Sequence, residues 1–332
     1  QKGVYELLVS RRLEQLIDRL PTLGLAASVA EIDIAERAGV LSDSFARTLK
    51  CALHEAHSAA DPNRQLRVYN SLVEYLQTLT QTSDGDVDTA DAPARQLRLV
   101  WPDGQPNPGR PDSPLATGTL LTGTRLDPSL VSQLRKELET ADQVDILCSF
   151  IKWGGIRVLE DDLRQFTARP GSMLRVITTS FLGATDLKAV EFLRALPNTT
   201  VRVSYDTHRT RLHAKAYIMR RNSGFGSAYI GSANLSQAAL TDGLEWTVKV
   251  SQYEQSYLWK KATATFETYW NDAEFEHYEA GDRERLDAAL QRERGGSGDE
   301  PITYFDLRPY AFQQEILDKI EAERDLKPEI DI

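Results

Sequence analysis

Apolar residues recur every three or four positions through most of residues 1–80. The segments YELLVSRRLEQLIDRL, SFARTLKCALHEAHSAA and RVYNSLVEYLQTLTQ all show this spacing, which is typical of amphipathic helices. Two runs then break the pattern. TSDGDVDTADAPA is acidic and non-periodic, and WPDGQPNPGRPDSP is too rich in proline and glycine for regular structure. We predict a helical N-terminal region over 1–82, followed by a linker and connection over 83–118.

From residue 119 onward, short β-prone runs alternate with helical segments. VDILCSF, MLRVITT and TVRVSY predict strands, and SLVSQLRKELETA, IRVLEDDLRQFTARPG and DLKAVEFLRAL predict helices. This alternation predicts an α/β sandwich with a mostly parallel central sheet. Three closely spaced strands, LHAKAYIM, SAYIGS and LEWTVKV, then precede a long helix. We place this domain at 119–294, and predict a linker and the start of a further domain over 295–332.

Composition narrows the class of protein. The chain has 332 residues, of which 41% are hydrophobic, and a formal net charge of -10. This charge argues against a uniformly basic surface for nucleic acid, although it is compatible with a local basic patch. The two cysteines, Cys51 and Cys148, cannot form a disulfide framework or a Cys/His metal cluster. With no signal peptide and no apolar run near the ~18 residues of a membrane span, we expect a cytoplasmic protein with no membrane partner.

Two of the closely spaced strands carry a group of polar residues suited to binding phosphate. Alternation along LHAKAYIM puts His213 and Lys215 on one face of a strand. The next strand ends at Gly231, and we predict that Ser232 and Asn234 begin a helix, ANLSQAAL, whose free N–H groups form an anion site. An ammonium, an amide, a hydroxyl and backbone N–H groups together suit one phosphate. A neutral histidine beside them is a competent nucleophile near pH 7.

A nucleophilic histidine needs a carboxylate that orients its ring and tolerates its charge. The apolar residues of GLEWTVKV share one face of the third strand, so Glu245 lies on the opposite, polar face. If that face lines the same cleft, Glu245 is the orienting carboxylate. The competing candidate is Asp242, which lies at a turn where a local turn bond explains it as well.

The order of these motifs carries a resemblance. An H-x-K, a G-S-x-N and a later glutamate are formed by His213, Lys215, Gly231, Ser232, Asn234 and Glu245. Over roughly residues 119–275 the pattern resembles the phospholipase D superfamily of phosphodiesterases. The chain departs from the longer family signature at Arg220, where an aspartate is common. This departure weakens the phospholipase interpretation more than the nuclease interpretation.

The resemblance implies a metal-free covalent reaction with no cofactor. One histidine attacks the phosphodiester and a second protonates the leaving oxygen, while lysine and asparagine hold the developing charge. The catalytic residues implied in this chain are His213, Lys215, Ser232, Asn234 and Glu245. None of the other four histidines, His54, His57, His208 and His277, begins a second H-x-K. The resemblance therefore implies a homodimer in which two chains share one active site.

Local charge indicates the substrate. Between residues 204 and 222 five basic residues stand against a single aspartate, Asp206, and this excess favours a polyanion. Lys152 and Trp153 come just after a strand, and we expect them to add a phosphate contact and a base-stacking surface. The substrate-binding candidates are Arg209, Arg211, Lys152 and Trp153. A solvated hairpin with ordinary surface arginines is the alternative.

The C-terminal segment LRPYAFQQEIL resembles the entry segment of superfamily 2 helicases, and the resemblance implies an adenine contact for Gln313. No G-x-x-x-x-G-K-[ST] loop follows, so ATP and Mg are expected only for a helicase domain outside this chain. An amphipathic surface helix is the alternative. By analogy, the combination resembles helicase–nuclease fusions of restriction or phage defence.

Three functions remain open at this point. A metal-independent nuclease that acts on DNA is preferred. A lipid phosphodiesterase would need an apolar surface near the site, and the sequence contains no apolar segment that indicates such a surface. The third is a catalytically weak module that binds nucleic acid or dimerises without cleaving, which the missing aspartate leaves open.

Overall fold

The computed structural model describes residues 7–58, 60–80, 88–101, 103–104, 106–107, 109–124, 127–206, 212–241 and 243–295. The chain forms two compact units, Gln1–Val100 and Trp101–Ile332. The domain boundaries predicted at 82 and 119 stay predictions. Gln313 and the rest of the segment that resembles a helicase lie outside the described residues.

The first unit is helical, as its periodicity predicts. Ser10 and Asp33 begin two of its helices, because their side chains accept hydrogen bonds from the backbone N–H groups of Leu13 and Ala35. The unit contains a short 3₁₀ turn at Leu20–Leu23 and the helices α1 (Arg11–Ile17), α2 (Ile34–Glu55) and α3 (Arg64–Thr80).

The second unit is an α/β structure, which confirms the predicted class. Its strands are β1 (Thr119–Leu121), β2 (Gln143–Cys148), β3 (Met173–Thr179), β4 (Thr199–Ser204), β5 (Lys215–Arg220), β6 (Ser227–Gly231), β7 (Thr247–Ser251) and β8 (Phe275–His277). Its helices are α4 (Leu130–Thr140), α5 (Trp153–Arg157), α6 (Glu160–Ala168), α7 (Leu187–Ala195), α8 (Gln237–Thr241), α9 (Ser256–Asn271) and α10 (Arg283–Gly295).

The eight described strands form one sheet in the order β1-β7-β6-β5-β2-β3-β4-β8. The pairs β2–β3 and β3–β4 are parallel, and the other five pairs are antiparallel. The prediction of a mostly parallel sheet is therefore wrong. Parallel pairing is confined to β2, β3 and β4, which helices connect, whereas β5, β6 and β7 are consecutive antiparallel neighbours, with α8 between β6 and β7.

Both faces of the sheet are partly covered by helices. The larger core packs α4, α6, α7 and α10 against one face, which we call the bundle face, and α9 packs against the other. Strand β5 shows the alternation directly, since Tyr217 belongs to the core of the bundle face and Ile218 to the α9 core. Among the described residues, no helix combines the length and hydrophobicity needed to cross a membrane.

Two of the five basic residues counted as a local patch are engaged inside the protein. Arg220 donates to the buried carboxylate of Asp145 and to Glu267, at 2.7 and 2.9 Å. Buried Arg221 donates to Glu137 at 2.5 Å. The prediction that their charge is available to a polyanion is wrong, because internal carboxylates neutralise both.

Candidate active site

Antiparallel pairing brings the ends of four strands to one edge of the sheet. Cys148, the last residue of β2, pairs with Lys215, the first residue of β5. Gly231, the last residue of β6, pairs with Thr247, the first residue of β7. Because β5 and β6 are also antiparallel neighbours, residues that precede β5 and β7 and residues that follow β6 lie close together.

Gly231 allows β6 and β7 to approach closely at this edge. A Cβ at this position would lie 2.8 Å from Thr247 Cα and closer still to the Trp246 carbonyl oxygen. Two hydrogen bonds then tie Ser232 to Trp246, from Ser232 N to the Trp246 carbonyl at 3.2 Å and from Trp246 N to Ser232 Oγ at 3.3 Å. Ser232 is thereby fixed beside Glu245, the neighbour of Trp246.

His213 and Lys215 lie at the start of β5. The His213 side chain is exposed and meets the ring of Phe150 edge-on, at 6.3 Å between centroids. The side chain of Lys215 is buried, and its Nζ donates to the His213 carbonyl at 2.7 Å. Partial withdrawal from solvent, followed by the Lys215 charge, lowers the pKa of His213, which favours the neutral, nucleophilic imidazole.

Glu245 precedes β7 on the strand that neighbours β6. Desolvation lowers the pKa of Lys215, and the negative charge of Glu245 opposes that shift, so the carboxylate acts on the site electrostatically. Gly123 packs against the turn before it, where a Cβ would lie 3.0 Å from the Glu245 nitrogen. Within the described residues, Glu245 and His213 form no hydrogen bond, and the orienting role of Glu245 stays a prediction.

Asn234 follows β6 in a turn, not at the start of a helix. Helix α8 begins only at Gln237, so the predicted helix over ANLSQAAL starts later than expected. The reason is that Leu235 forms a parallel bridge with Ile151, and its carbonyl accepts from Lys152 N at 2.9 Å. This extended pairing holds the segment open and leaves the side chain of Asn234 partly exposed at the same edge.

The segment that contains these residues is similar to a known protein family. Residues 183–259 match the family model of the NgoFVII restriction endonuclease N-terminal PLD domain. The match covers less than half of the chain, and it includes all five predicted catalytic residues. No curated protein sequence gives a significant match.

Several solved structures are also similar. NucT from Helicobacter pylori is 17% identical with a TM-score of 0.36, covering 49% of this chain and 99% of that chain. A phospholipase D family member, Nuc from Salmonella typhimurium, has the same identity and TM-score, covering 49% of this chain and 100% of its own. Phosphatidylserine synthase from Haemophilus influenzae is 12% identical with a TM-score of 0.37, covering 64% and 47%.

Lys152 and Trp153 lie beside the matched segment, because Lys152 N pairs with Leu235. Asp186 engages both residues. Its carboxylate lies 3.4 Å from Lys152 Nζ and accepts from Trp153 N at 2.9 Å. The Trp153 ring meets Phe192 edge-on and has Lys188 Nζ 3.8 Å above its face. One face of the indole is therefore occupied, and substrate contacts by Lys152 and Trp153 stay predictions.

Three remaining candidates, Arg209, Arg211 and Asp242, lie outside the described residues. Two further side chains approach the site and were not predicted to serve it. Cys148 and Tyr217 lie in VDILCSF and LHAKAYIM, two segments predicted as strands without a role for either side chain. Tyr217 shares the strand face of His213 and Lys215 at the same two-residue spacing, and that alternation is the signal that identifies it.

Proposed function

We propose that this protein is a phosphodiesterase that cleaves DNA without a metal, through a phosphohistidine intermediate. The observation that carries the proposal is the convergence of His213, Lys215, Ser232, Asn234 and Glu245 at one sheet edge, inside the segment that matches a restriction endonuclease PLD domain.

The residues suit an in-line displacement at phosphorus. The neutral imidazole of His213 attacks, so that a P–N bond forms while the P–O bond to the leaving oxygen breaks. A second, protonated histidine gives its proton to that oxygen. Water then attacks phosphorus, the second histidine takes a proton from the water, and the P–N bond breaks. Lys215 and Asn234 stabilise the charge on the non-bridging oxygens, and Glu245 stabilises the imidazolium.

The second histidine comes from a second copy of the chain in this proposal. The chain contains one H-x-K motif, so a two-histidine site requires a homodimer with two-fold symmetry. Each copy then contributes His213, Lys215 and Asn234 to one shared site.

An exposed apolar strip on the opposite face of the strands that carry the site supports the homodimer. Leu120 and Ile230 are both Cα partners of Val248, and the three side chains are 40%, 38% and 45% exposed. Trp246, two residues before Val248 on the same strand face, is 65% exposed. A contiguous apolar strip of this kind is typical of an interaction surface. The strip lies on the α9 face of β6 and β7, the face opposite Glu245, and we assign it to a contact with the second copy.

The same strip keeps a lipid phosphodiesterase open as the second candidate. The sequence has no continuous apolar segment near the site. The strip is formed by residues from three different strands, so it is not visible as a continuous run in the sequence. A lipid enzyme would use such a surface to meet a bilayer. Cleavage of phospholipid vesicles distinguishes this candidate from the nuclease.

The wider setting is also proposed. Similarity of LRPYAFQQEIL to a helicase entry segment supports a cytoplasmic helicase–nuclease of restriction or phage defence, with Gln313 at the adenine of ATP and Mg serving that helicase domain alone. Within the described residues, no group of three or more His, Cys, Asp or Glu side chains could hold a metal. The proposed chemistry uses none.

The test compares cleavage of single- and double-stranded DNA, and of phospholipid vesicles, in excess EDTA. We expect DNA cleavage to persist in EDTA and to fall by about 10³-fold in His213→Ala. His277→Ala is the matched control, because His277 is on β8 at the far side of the sheet, where its side chain pairs with Glu279. Loss of activity in EDTA contradicts the metal-free route, and equal activity in His213→Ala contradicts the site. Cleavage of lipid but not DNA favours the second candidate, and DNA binding without cleavage favours a catalytically weak module.

A further inference from the structure

Two buried polar side chains lie beneath the turn that carries Asn234. Cys148 ends β2 and Tyr217 lies within β5, and both are almost wholly excluded from solvent. A buried hydroxyl or thiol without a partner destabilises a fold. The hydrogen bonds of Cys148 and Tyr217 therefore indicate which parts of the backbone these two side chains stabilise.

The two side chains bracket Asn234 through the backbone. Tyr217 Oη donates to the Ala233 carbonyl at 3.0 Å, on the residue before Asn234. Cys148 Sγ accepts from Leu235 N at 3.1 Å, on the residue after it. The thiol also lies 3.8 Å from Asn234 Oδ1 and 3.9 Å from Tyr217 Oη. These contacts join β2 and β5 to a turn that would otherwise be held only at its two ends.

The thiol also connects this turn to the segment after β2. Cys148 Sγ donates to the Phe150 carbonyl at 3.3 Å, and Phe150 is the residue whose ring meets His213. Asn234 lies between two buried residues, Ala233 and Leu235, and its own side chain is partly exposed, with Oδ1 3.8 Å from the thiol. An amide N–H₂ group turned outward is the donor that a bound phosphate needs.

We propose that Cys148 and Tyr217 are positioning residues, which hold the Ala233–Leu235 backbone so that the Asn234 amide nitrogen faces the phosphate. The proposal rests on the proposed function for its substrate class. Neither side chain contacts the substrate in this account. Their effect on the reaction passes through Asn234.

Burial keeps both groups in the protonated forms that this arrangement uses. Desolvation raises the pKa of the Cys148 thiol and raises that of the Tyr217 hydroxyl well above its ordinary value. Both groups therefore remain donors through the neutral range, and positioning by them is independent of pH there.

The test uses Cys148→Ala and Tyr217→Phe, each with a matched control. Val144→Ala removes buried volume from the same strand and face, but Val144 pairs with Met219, four residues from Cys148. Tyr229→Phe removes the hydroxyl of an equally buried tyrosine that is the Cα partner of Tyr217, and that hydroxyl binds Glu137 on α4 instead of the turn. Cys148→Ser keeps a donor and an acceptor.

The measurements are kcat and KM on DNA, and the dissociation constant of inorganic phosphate by calorimetry. We expect Cys148→Ala and Tyr217→Phe to weaken phosphate binding and lower kcat by about threefold to tenfold each, the effect of one hydrogen bond. Cys148→Ser should recover part of the loss, because it retains the hydrogen-bonding group. The two controls should bind phosphate like the wild type even where they lower thermal stability.

The outcomes separate this proposal from the proposed function. A wild-type chain that cleaves DNA, with variants that match their controls, overturns the positioning role alone. A wild-type chain that binds phosphate without cleaving DNA overturns the nuclease, while the phosphate affinities of the variants still decide the positioning role. A chain that neither cleaves DNA nor binds phosphate overturns both.

Discussion

The buried ion network at the end of the sheet opposite the site allows a sharp test of the fold. Asp145 on β2 is fully buried and accepts from Arg175 Nε at 2.7 Å, Arg175 Nη2 at 3.0 Å, Arg220 Nε at 2.7 Å and Gln143 Nε2 at 2.8 Å. Glu267 on α9 binds the same two arginines from a side chain that is 42% exposed. Desolvation opposes the charge of Arg175, but the hydrogen bonds that it donates to Glu267 and Asp145 raise its pKa.

We predict that Asp145→Asn destabilises the protein by about 3–5 kcal/mol, the usual effect of removing one partner from a buried ion pair. Asparagine has one acceptor oxygen where aspartate has two. If its nitrogen replaces Oδ2, it faces Arg175 Nη2 and Arg220 Nε. If it replaces Oδ1, it faces Arg175 Nε and Gln143 Nε2. Either way two donors lose their acceptor, and each lost charge-assisted bond costs about 1.5–3 kcal/mol.

The matched variant is Glu267→Gln, which we expect to cost only about 1 kcal/mol because solvent screens that carboxylate. Urea unfolding followed by tryptophan fluorescence suits the comparison, since the Trp270 ring lies 5.0 Å from the Arg175 guanidinium. Far-UV circular dichroism checks that both probes report one transition. If Asp145→Asn lowers the free energy of unfolding by no more than Glu267→Gln does, burial of the carboxylate does not determine its contribution to stability. That result would contradict the prediction.

Three further predictions concern the site and its support. Gly231→Ala should lower DNA cleavage at least about tenfold and stability by about 1–3 kcal/mol, because the added methyl meets the β7 backbone; Gly281→Ala, with nothing within 4 Å of the added atom, should change neither. The pH profile of kcat/KM should be bell-shaped, because the attacking His213 must be neutral while His213 of the second copy must be protonated. Partial desolvation and the Lys215 charge lower the pKa of His213, so the profile should centre below the ordinary 6.5 and Lys215→Met should move it upward; a profile unmoved by Lys215→Met contradicts the coupling. Burial lowers the pKa of Lys249 to about 8 from 10.5, so between those values the unfolded chain binds a proton that the folded chain lacks. The free energy of unfolding should therefore rise with pH across that window and rise less in Lys249→Met, as urea titrations will show.

The positions of the five candidate residues at strand ends were predictable from the sequence because these residues lie in short, ordered motifs, and their catalytic roles stay predictions. His213 and Lys215 alternate on one strand, and Ser232 and Asn234 directly follow the next. Local pattern is enough to place such residues on strand ends. Their convergence then follows from antiparallel pairing of neighbouring strands, and the geometry brings the five residues to one edge.

Features that depend on distant partners were not predictable. The sheet was expected to be mostly parallel, because the alternation of strands and helices over β2–β4 was extended to β5, β6 and β7, which pair with one another antiparallel. The predicted start of the helix after β6 was too early, because no residue near Leu235 in the sequence indicates that Leu235 forms a bridge with Ile151. Arg220 was counted as surface charge for a similar reason, since its partner Asp145 lies 75 residues away.

A heterodimer of one wild-type chain and one His213→Ala chain tests the central claim most directly. It can be isolated after co-expression with two different affinity tags, and its rate of DNA cleavage measured per dimer against the wild-type dimer. A shared site lacks either its nucleophile or its acid in the mixed dimer, so we predict activity below about 1% of wild type. Activity near half of wild type would mean that each chain cleaves with its own site, and failure to recover any mixed dimer would mean that no shared site forms. Either result would contradict the account.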